Sequence, residues 1–187
     1  MFKGIENLKD LLIAITGNKK ITFTYKNFER DTVTNYAITP LLLKEYLNRW
    51  YVIGAYTNNE IRTFGIDRMS RIEIKEVSKL TRANFEERLK KFKHTVGLTY
   101  HNGEPEEVTL LVDDMHVNYL RSLPLHSSQI ILPKNDENKH EVKYDVYPNV
   151  EFKSQILKMG TQVKVLTPQY LKEEIKIILA KTLESYD

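Results

Sequence analysis

The 187-residue sequence contains no cysteine, which excludes disulfide bonds, thiolate metal sites and cysteine nucleophiles. It also lacks any apolar run near the roughly 18 residues that a membrane-spanning helix needs. The first sixteen residues carry acidic side chains within their apolar pattern, unlike a secretory signal peptide. These absences predict a cytoplasmic protein that does not associate with a membrane.

Motifs of common enzyme classes are missing as well. The sequence has no GxSxG elbow, no GxxxxGK phosphate loop and no GxGxxG run. Its five histidines are scattered, and none has the spacing of a two-ligand metal helix. His126-Ser127-Ser128 places a base beside two hydroxyls, but without an oxyanion element we interpret it as the beginning of a strand. We therefore expect no enzyme activity, no metal site and no cofactor.

Charge is distributed unevenly along the chain. Residues 1–95 contain 18 Lys/Arg and 11 Asp/Glu, a net charge of +7, whereas residues 96–187 contain 10 and 14, a net charge of −4. An anionic partner is therefore expected to bind the first half. Ordinary scatter of surface charge is the alternative interpretation, and charge alone favours it.

The first half combines a helical segment with short strand-like segments. Residues 5–16 repeat apolar side chains at helical spacing and predict an opening helix. Five strands are predicted at residues 21–25, 33–47, 50–56, 61–66 and 71–77, with a turn at Asn58-Asn59. Pro40 interrupts the second strand and predicts a bend, a bulge or an edge position. Closure into a small barrel would remove the exposed strand edges, so residues 1–79 are predicted to form a small barrel with its N-terminal helix.

The second half has a different pattern. Residues 80–95 are helical in spacing and highly charged, which predicts a linker. After a loop at residues 101–105, strands are predicted at 107–112, 128–132, 141–147 and 162–166, and helices at 115–123, at 150–160 and after 168. Caps are expected at Asp113 or Asp114, at Asn149, and at Thr167 with Pro168 as the first helical residue. Residues 96–187 therefore predict a ferredoxin-like βαββαβ module with an added C-terminal helix, and the fold class is α+β.

Several segments together resemble the WYL domain. Arg49-Trp50-Tyr51-Val52 matches the family's Trp-Tyr-Leu strand with valine in place of leucine, and Pro40-Leu41 lies where the family has a proline. Residues 61–69 match the arginine, phenylalanine and Asp-Arg-hydrophobic turn that follow. The second half resembles the family's C-terminal extension at residues 125–129, 156–160 and 163–168.

The resemblance implies the sensing region of a bacterial transcriptional regulator, in which an Sm-like or SH3-like barrel binds a ligand that is nucleic acid or a nucleotide in some members. Related proteins often form dimers, so a homodimer is a further expectation. Members usually carry an N-terminal helix-turn-helix, but only one short helix precedes the barrel here. The chain is therefore expected to be a fragment of a longer regulator or a stand-alone sensor. Duplex DNA would be bound only through a helix-turn-helix that this sequence does not contain.

The candidate ligand site lies around the third and fourth strands. Side chains alternate along a strand, so Trp50 shares a face with Val52, and Arg62 shares a face with Phe64. Arginine binds phosphate or carboxylate through two hydrogen bonds, and aromatic rings stack on bases. The residues expected to bind an anionic ligand, such as single-stranded nucleic acid or a nucleotide, are Arg62, Arg68, Trp50, Tyr51, Arg49, Tyr25 and Arg30.

Three of these residues also have an ordinary structural interpretation. Trp50, the only tryptophan, can fill the barrel, and Tyr51 can be a packing residue. Arg68 can pair with Asp67 or Asp31 and order a turn. If the whole set is structural, the chain is a protein-interaction or dimerisation module with no small ligand, which is the alternative function.

Overall fold

The computed structural model describes residues 4–57, 60–99, 103–135 and 137–186. Within these residues the chain forms two antiparallel sheets and five α-helices, a mixed α+β architecture. Two compact units comprise residues 1–86 and 87–187, and each has its own hydrophobic core. Among the helices described, none is long and apolar enough to cross a membrane.

The N-terminal unit contains one helix and a five-stranded sheet. A 3-10 turn at Ile5–Asn7 leads into helix α1 (Leu8–Thr16), which buries Leu11 and Ala14 completely. The strands are β1 (Lys19–Asn27), β2 (Thr32–Tyr46), β3 (Arg49–Thr57), β4 (Glu60–Gly65) and β5 (Met69–Val77). They are arranged in the order β4-β3-β2-β1-β5, and all neighbours are antiparallel. The predicted helix and five strands are confirmed, while the turn predicted at Asn58-Asn59 lies outside the described residues.

Pro40 lies within the long strand β2, which accommodates it with a bulge. The pairing of β2 with β3 shifts register between Pro40 and Leu42. Because proline has no backbone N–H to donate, an irregular pairing at this point avoids a missing ladder hydrogen bond. The irregularity predicted from Pro40 is confirmed.

Aromatic rings fill much of the N-terminal core. Phe64 makes edge contacts with Phe23 and with Tyr25, each with 5.1 Å between ring centroids. Val52 and Phe64 point into this core from neighbouring strands and are almost completely buried. Trp50 packs against the same core from a half-buried position. The sheet face that carries the candidate site therefore borders the core.

The C-terminal unit contains a four-stranded sheet. The labelled elements from the boundary onward are α2 (Glu86–Lys91), β6 (Glu106–Asp113), α3 (Asp114–Ser122), β7 (Ile130–Lys134), β8 (Lys139–Val146), α4 (Val150–Lys158), β9 (Val163–Thr167) and α5 (Gln169–Glu184). The strand order is β7-β8-β6-β9, again antiparallel throughout. The predicted succession of strands and helices is confirmed, with β7 two residues later than expected. Residues 101 and 102 of the predicted loop lie outside the described residues.

Two helix starts in this unit differ in their caps. Asn149 caps α4 as predicted, because its side chain accepts a hydrogen bond of 2.8 Å from the backbone N–H of Phe152. Asp113 occupies the cap position of α3 but makes no side-chain cap hydrogen bond. Asp114 is the first helical residue, and its carboxylate binds His140 at 2.8 Å instead. Asp113 therefore lies at the predicted cap position, but the capping hydrogen bond expected from its side chain is not formed.

The start of α5 also differs from the prediction. Thr167 is the last residue of β9 and pairs with Thr109 of β6. Because this pairing keeps Thr167 in the sheet, it cannot serve as the helix cap. Pro168 takes the cap position, and the first helical residue is Gln169.

Candidate functional site

Arg62 lies at the rim of the N-terminal core, where two tyrosine rings flank it. It is paired across the sheet with Gly54. Its guanidinium carbon lies 3.9 Å from the centroid of the Tyr56 ring and 5.8 Å from that of Tyr36. These distances are those of cation–π contacts. Arg62 therefore lies on the sheet face that it shares with Phe64, at the edge of the core.

Glu60 occupies one edge of the Arg62 guanidinium. The Nε–H of Arg62 donates a hydrogen bond of 2.6 Å to Glu60 Oε1. This bond is the main reason that the pKa of Arg62 is raised. The side chains are 37% and 43% exposed, and an ion pair at this level of exposure contributes about 0–1 kcal/mol. The pair therefore contributes little to the stability of the fold.

Arg68 and Asp67 form a second, more buried pair. Arg68 Nε lies 3.8 Å from Asp67 Oδ1, too far for a hydrogen bond, and neither atom has another hydrogen-bond partner among the described residues. The other carboxylate oxygen of Asp67 lies 3.4 Å from Arg49 Nη1. Of the two partners proposed for Arg68 from the sequence, the structure selects Asp67, while Asp31 pairs with Lys26.

Tyr25 is chiefly a core residue. It is 8% exposed, and its hydroxyl oxygen accepts a hydrogen bond of 3.4 Å from the backbone N–H of Gly65. Burial raises the pKa of Tyr25, and the positive charge of Arg68 acts in the opposite direction. A side chain at Gly65 would lie within 2.8 Å of Arg68 and Asp67, so glycine leaves the room that this pair occupies.

A continuous row of rings and guanidinium groups connects the two arginines. The Arg68 guanidinium carbon lies 5.2 Å from the Tyr25 ring centroid, and the Tyr25 and Tyr36 rings are in edge contact at 6.1 Å. Tyr36 in turn contacts Arg62. Phe28, 5.6 Å from Arg68, ends the row on that side. We refer to this set as the arginine–aromatic row; its members are Tyr56, Arg62, Tyr36, Tyr25, Arg68 and Phe28.

The remaining predicted site residues occupy different surroundings. Arg49 is exposed beside Asp67. Trp50 packs on the core, which agrees with its structural interpretation. Tyr51 is half-buried on the opposite sheet face, and Arg30 lies in an exposed turn. The structure therefore brings Arg49 and Arg68 beside Asp67, while Trp50, Tyr51 and Arg30 lie outside the row.

Three members of the row were missed by the sequence analysis. Tyr56 follows Trp50 by six residues on the same strand, so strict alternation was a usable signal for it. Tyr36 and Phe28 come from other segments of the chain, β2 and the turn after β1. Their approach depends on strand pairing that no local pattern encodes.

His126 and Ser128 serve the structure of the C-terminal unit. His126 Nε2 lies 2.6 Å from the carbonyl oxygen of Lys93, and its Nδ1 lies 2.8 Å from Ser128 Oγ. The same hydroxyl accepts a hydrogen bond of 2.9 Å from the backbone N–H of Asp145. These bonds attach the segment before β7 to strand β8, as expected for the beginning of a strand. Across the described ranges, no group of three or more metal-ligating side chains occurs.

Comparison with known proteins gives two family matches. The WYL domain model matches residues 6–74, and the WCX domain model matches residues 104–183. A comparison with curated proteins gives no match.

Two solved structures are similar to the chain over 98% of its length. One is proteasome accessory factor B/C (PafBC) of Arthrobacter aurescens, with 18% identity and a TM-score of 0.37; the other is a CRISPR Cas-related protein, with 16% identity and a TM-score of 0.53. The chain spans 27% and 52% of these two proteins, respectively. At such identities only the second similarity carries weight, and it concerns the fold alone. The two family models, matching in succession, show that the chain carries a WYL domain followed by a WCX domain.

Proposed function

We propose that the chain is the ligand-sensing region of a bacterial transcriptional regulator, acts in the cytoplasm and has no enzyme activity. The pairing of a WYL domain with a WCX domain supports the regulatory role, because both families are regulatory domains. In the proposed organisation, residues 1–79 form the sensing barrel, residues 80–95 a linker and residues 96–187 the C-terminal extension.

We propose an Sm-like or SH3-like barrel for the first sheet. Its two edge strands, β4 and β5, are joined only by Ile66–Arg68. Four peptide steps span at most about 14 Å, so the joined ends of the two edges lie near each other. Bulges in the pairing of β1 with β5 and of β2 with β3 supply the bending that closure needs.

We also propose a ferredoxin-like arrangement for the second sheet. Numbered within this unit, its strands have the order 2-3-1-4. Helices α3 and α4 each connect two strands that are not neighbours in the sheet. Both features are those of a βαββαβ module, and α5 is the added helix.

The ligand that the site fits best is anionic and carries bases, such as single-stranded nucleic acid or a nucleotide. The arginine–aromatic row carries this proposal. Guanidinium groups bind phosphate oxygens through two hydrogen bonds, and aromatic side chains offer stacking surfaces worth about 1–3 kcal/mol per base. The row combines these two functions, with an aromatic ring on either side of each arginine.

Individual residues take different roles in this proposal. Arg62 and Arg68 bind phosphate, and Arg49 adds a positive charge at the exposed end near Asp67. Tyr56, which is 39% exposed, stacks on a base. Tyr25 and Trp50 are mostly covered by protein and position their neighbours. Tyr51 and Arg30 belong to the wider binding surface.

Binding would act on the regulator through its conformational equilibrium. A ligand that prefers one conformer increases the population of that conformer in proportion to its difference in affinity. In a longer regulator this change would alter the activity of an attached DNA-binding domain. A homodimer formed through the C-terminal unit would transmit the change to two such domains.

The decisive experiment measures fluorescence anisotropy of labelled short single strands, with cyclic nucleotides as competitors, at several salt concentrations. We expect Arg62→Ala and Arg68→Ala each to weaken binding about tenfold or more and to lower the salt slope by about one. Arg71→Ala is the matched control, because Arg71 is exposed on β5 outside the row. Tight binding whose affinity does not depend on salt concentration would contradict the proposal. Equal affinities of Arg62→Ala and Arg71→Ala for the single strand would contradict it as well.

The second candidate is a protein-interaction module. It is favoured by the carboxylate beside each leading arginine and by three exposed apolar side chains, namely Met115 and Tyr119 on α3 and Leu123 directly after its end. Met115 and Tyr119 are four residues apart and lie on one helix face, where a second copy could bind. Light scattering distinguishes the candidates: a firm dimer that Tyr119→Glu dissociates and that binds none of the anions favours this module.

A further inference from the structure

A groove with an apolar floor lies between α4, β9 and α5 of the C-terminal unit. Its volume is about 160 Å³. Ile156, Val165 and Ile175 belong to the unit's core and form its floor. Leu157 and Val163 contribute further apolar surface. Since most of its described lining residues are aliphatic, the groove is suited to an apolar group.

The rim of this groove is exclusively cationic among its described lining residues. Lys164, Lys172 and Lys176 line it, and no acidic side chain does. Lys176 has a carboxylate neighbour, Glu173, at 3.0 Å. For Lys164 and Lys172 the described part of the chain provides no such partner. Two lysines without an acidic partner are unexpected in a half with 14 Asp/Glu and 10 Lys/Arg, so the rim favours a negative charge on the occupant.

We propose that the groove binds a straight-chain carboxylate, such as a medium-chain fatty acid. The alkyl chain lies on the apolar floor, and the carboxylate accepts hydrogen bonds from Lys164 and Lys172. An engineered apolar cavity of about 150 Å³ holds benzene, which indicates a chain of roughly six to eight carbons. The floor is aliphatic and offers no ring for stacking, so this ligand differs from the one proposed for the N-terminal unit.

Calorimetric titration of the full chain with four probes tests the proposal. We expect octanoate to bind and hexanoate to bind about sixteenfold more weakly, because each buried methylene contributes about fourfold in affinity. Octanol should bind at least tenfold more weakly than octanoate, since it lacks the charge, and octylamine should bind more weakly still. Absence of octanoate binding, or equal affinities for octanoate and octanol, would overturn it.

Variants locate the binding event. Lys164→Gln/Lys172→Gln should weaken octanoate binding about tenfold or more and leave octanol unchanged. Lys181→Gln is the control, because this exposed lysine lies on α5 outside the groove. Leu157→Trp should fill the groove and remove binding of every probe while the protein stays folded by circular dichroism.

Two results would refute this assignment. One is octanoate affinity that neither the lysine variant nor Leu157→Trp changes, which places binding elsewhere. The other is a dimer in sedimentation analysis that Leu179→Trp dissociates and octanoate does not, which makes a second copy the occupant. Leu179 lines the groove and is 52% exposed.

Discussion

At the scale of single residues, the site depends on how each arginine is held. Arg62 has a ring on one side and a carboxylate at its edge, whereas Arg68 is more buried and faces Asp67 without a hydrogen bond. A buried donor and acceptor without partners are costly. A phosphate that reached Arg68 Nε would therefore satisfy a group that the protein itself leaves unsatisfied.

Removal of Glu60 tests whether its carboxylate competes with a ligand. We expect Glu60→Gln to strengthen binding of a single strand several-fold, because the Arg62 guanidinium loses its strongest internal acceptor and the site loses a negative charge. Anisotropy titration at fixed salt measures the change. Glu73→Gln is the control, since Glu73 pairs with Lys75 on β5 and its removal changes net charge equally. The same gain in both variants would show a general charge effect and no competition at Arg62.

The sequence identified part of this site. Alternation along β4 was enough to place Arg62 beside the core, because side-chain direction in a strand is a local property. The pairing of Arg68 with Asp67 could also be anticipated, because the two residues are adjacent in the sequence. The rings that flank Arg62 come from β2 and β3, and their approach depends on strand register. Sequence pattern alone could not supply that register.

At the scale of secondary-structure elements, a buried histidine joins three of them. His140 of β8 is almost fully buried; its Nε2 lies 2.8 Å from Asp114 Oδ1 at the start of α3, and its Nδ1 lies 2.8 Å from the carbonyl oxygen of Leu132 in β7. The imidazole ring therefore links β8 to β7 and, through its pair with Asp114, to the start of α3.

This pair predicts a pH-dependent contribution to stability. The hydrogen bond from His140 lowers the pKa of Asp114. A carboxyl group with a lower pKa in the folded state stabilises the fold above its ordinary pKa of about 4, and this contribution is lost as the pH falls through the folded value. We expect Asp114→Asn to be less stable than the wild type at pH 7 and to approach it in acid.

Urea unfolding followed by circular dichroism at pH 7, 5 and 3 measures this difference. Asp113→Asn is the control, because the Asp113 carboxylate lies next to Asp114 in the sequence but makes no side-chain cap hydrogen bond. A stability gap for Asp114→Asn that stays constant down to pH 3 would mean that the carboxylate's charge is not responsible.

Gly54 sets how closely β3 approaches β2. A Cβ at this position would lie 2.5 Å from Ile38 Cδ1 and 3.1 Å from the carbonyl oxygen of Thr39. Since Ile38 is buried, we expect Gly54→Ala to destabilise the N-terminal unit by about 1–3 kcal/mol through overpacking. Fluorescence of Trp50, the only tryptophan, follows unfolding of this unit in urea.

A second substitution tests that explanation. Ile38→Val removes the Cδ1 atom and by itself costs about 0.5–1.5 kcal/mol. In the Gly54→Ala background it should restore stability, giving a favourable coupling in the double-mutant cycle. Additive losses would show that Gly54 is needed for a reason other than its contact with Ile38.

Features of secondary-structure elements could be predicted from the sequence where they depend on residues close together in the chain. Pro40 predicted the bulge because proline has no backbone N–H to donate. Asn149 predicted the start of α4 because its side-chain amide oxygen can accept a hydrogen bond from a backbone N–H. Thr167 carries the same kind of signal but remains in β9. The pairing of Thr167 with β6 keeps this residue in the strand, and a sequence pattern for helix caps contains no information about strand pairing.

At the scale of the whole molecule, the position of the boundary between the two units changes the net charge assigned to each unit. With the boundary after Glu86, the basic run at residues 88–93 belongs to the C-terminal unit. The N-terminal unit then has 14 Lys/Arg and 10 Asp/Glu, a net charge of +4, and the C-terminal unit has 14 and 15, a net charge of −1. Most of the contrast predicted from the sequence therefore came from the linker. The placement of guanidinium groups beside rings is the stronger argument for an anion site.

Separate cores in the two units predict that each binding event survives in isolation. We expect a fragment of residues 1–86 to fold and to bind single strands within about threefold of the full chain, and a fragment of residues 87–187 to fold and to bind octanoate but no single strand. This is because every residue of the arginine–aromatic row lies before Glu86, whereas every residue lining the groove lies after it.

Circular dichroism, anisotropy and calorimetry on both fragments measure these outcomes. A folded N-terminal fragment that has lost binding would mean that the nucleic-acid site needs residues of the second unit, and the row alone would then be insufficient as its explanation.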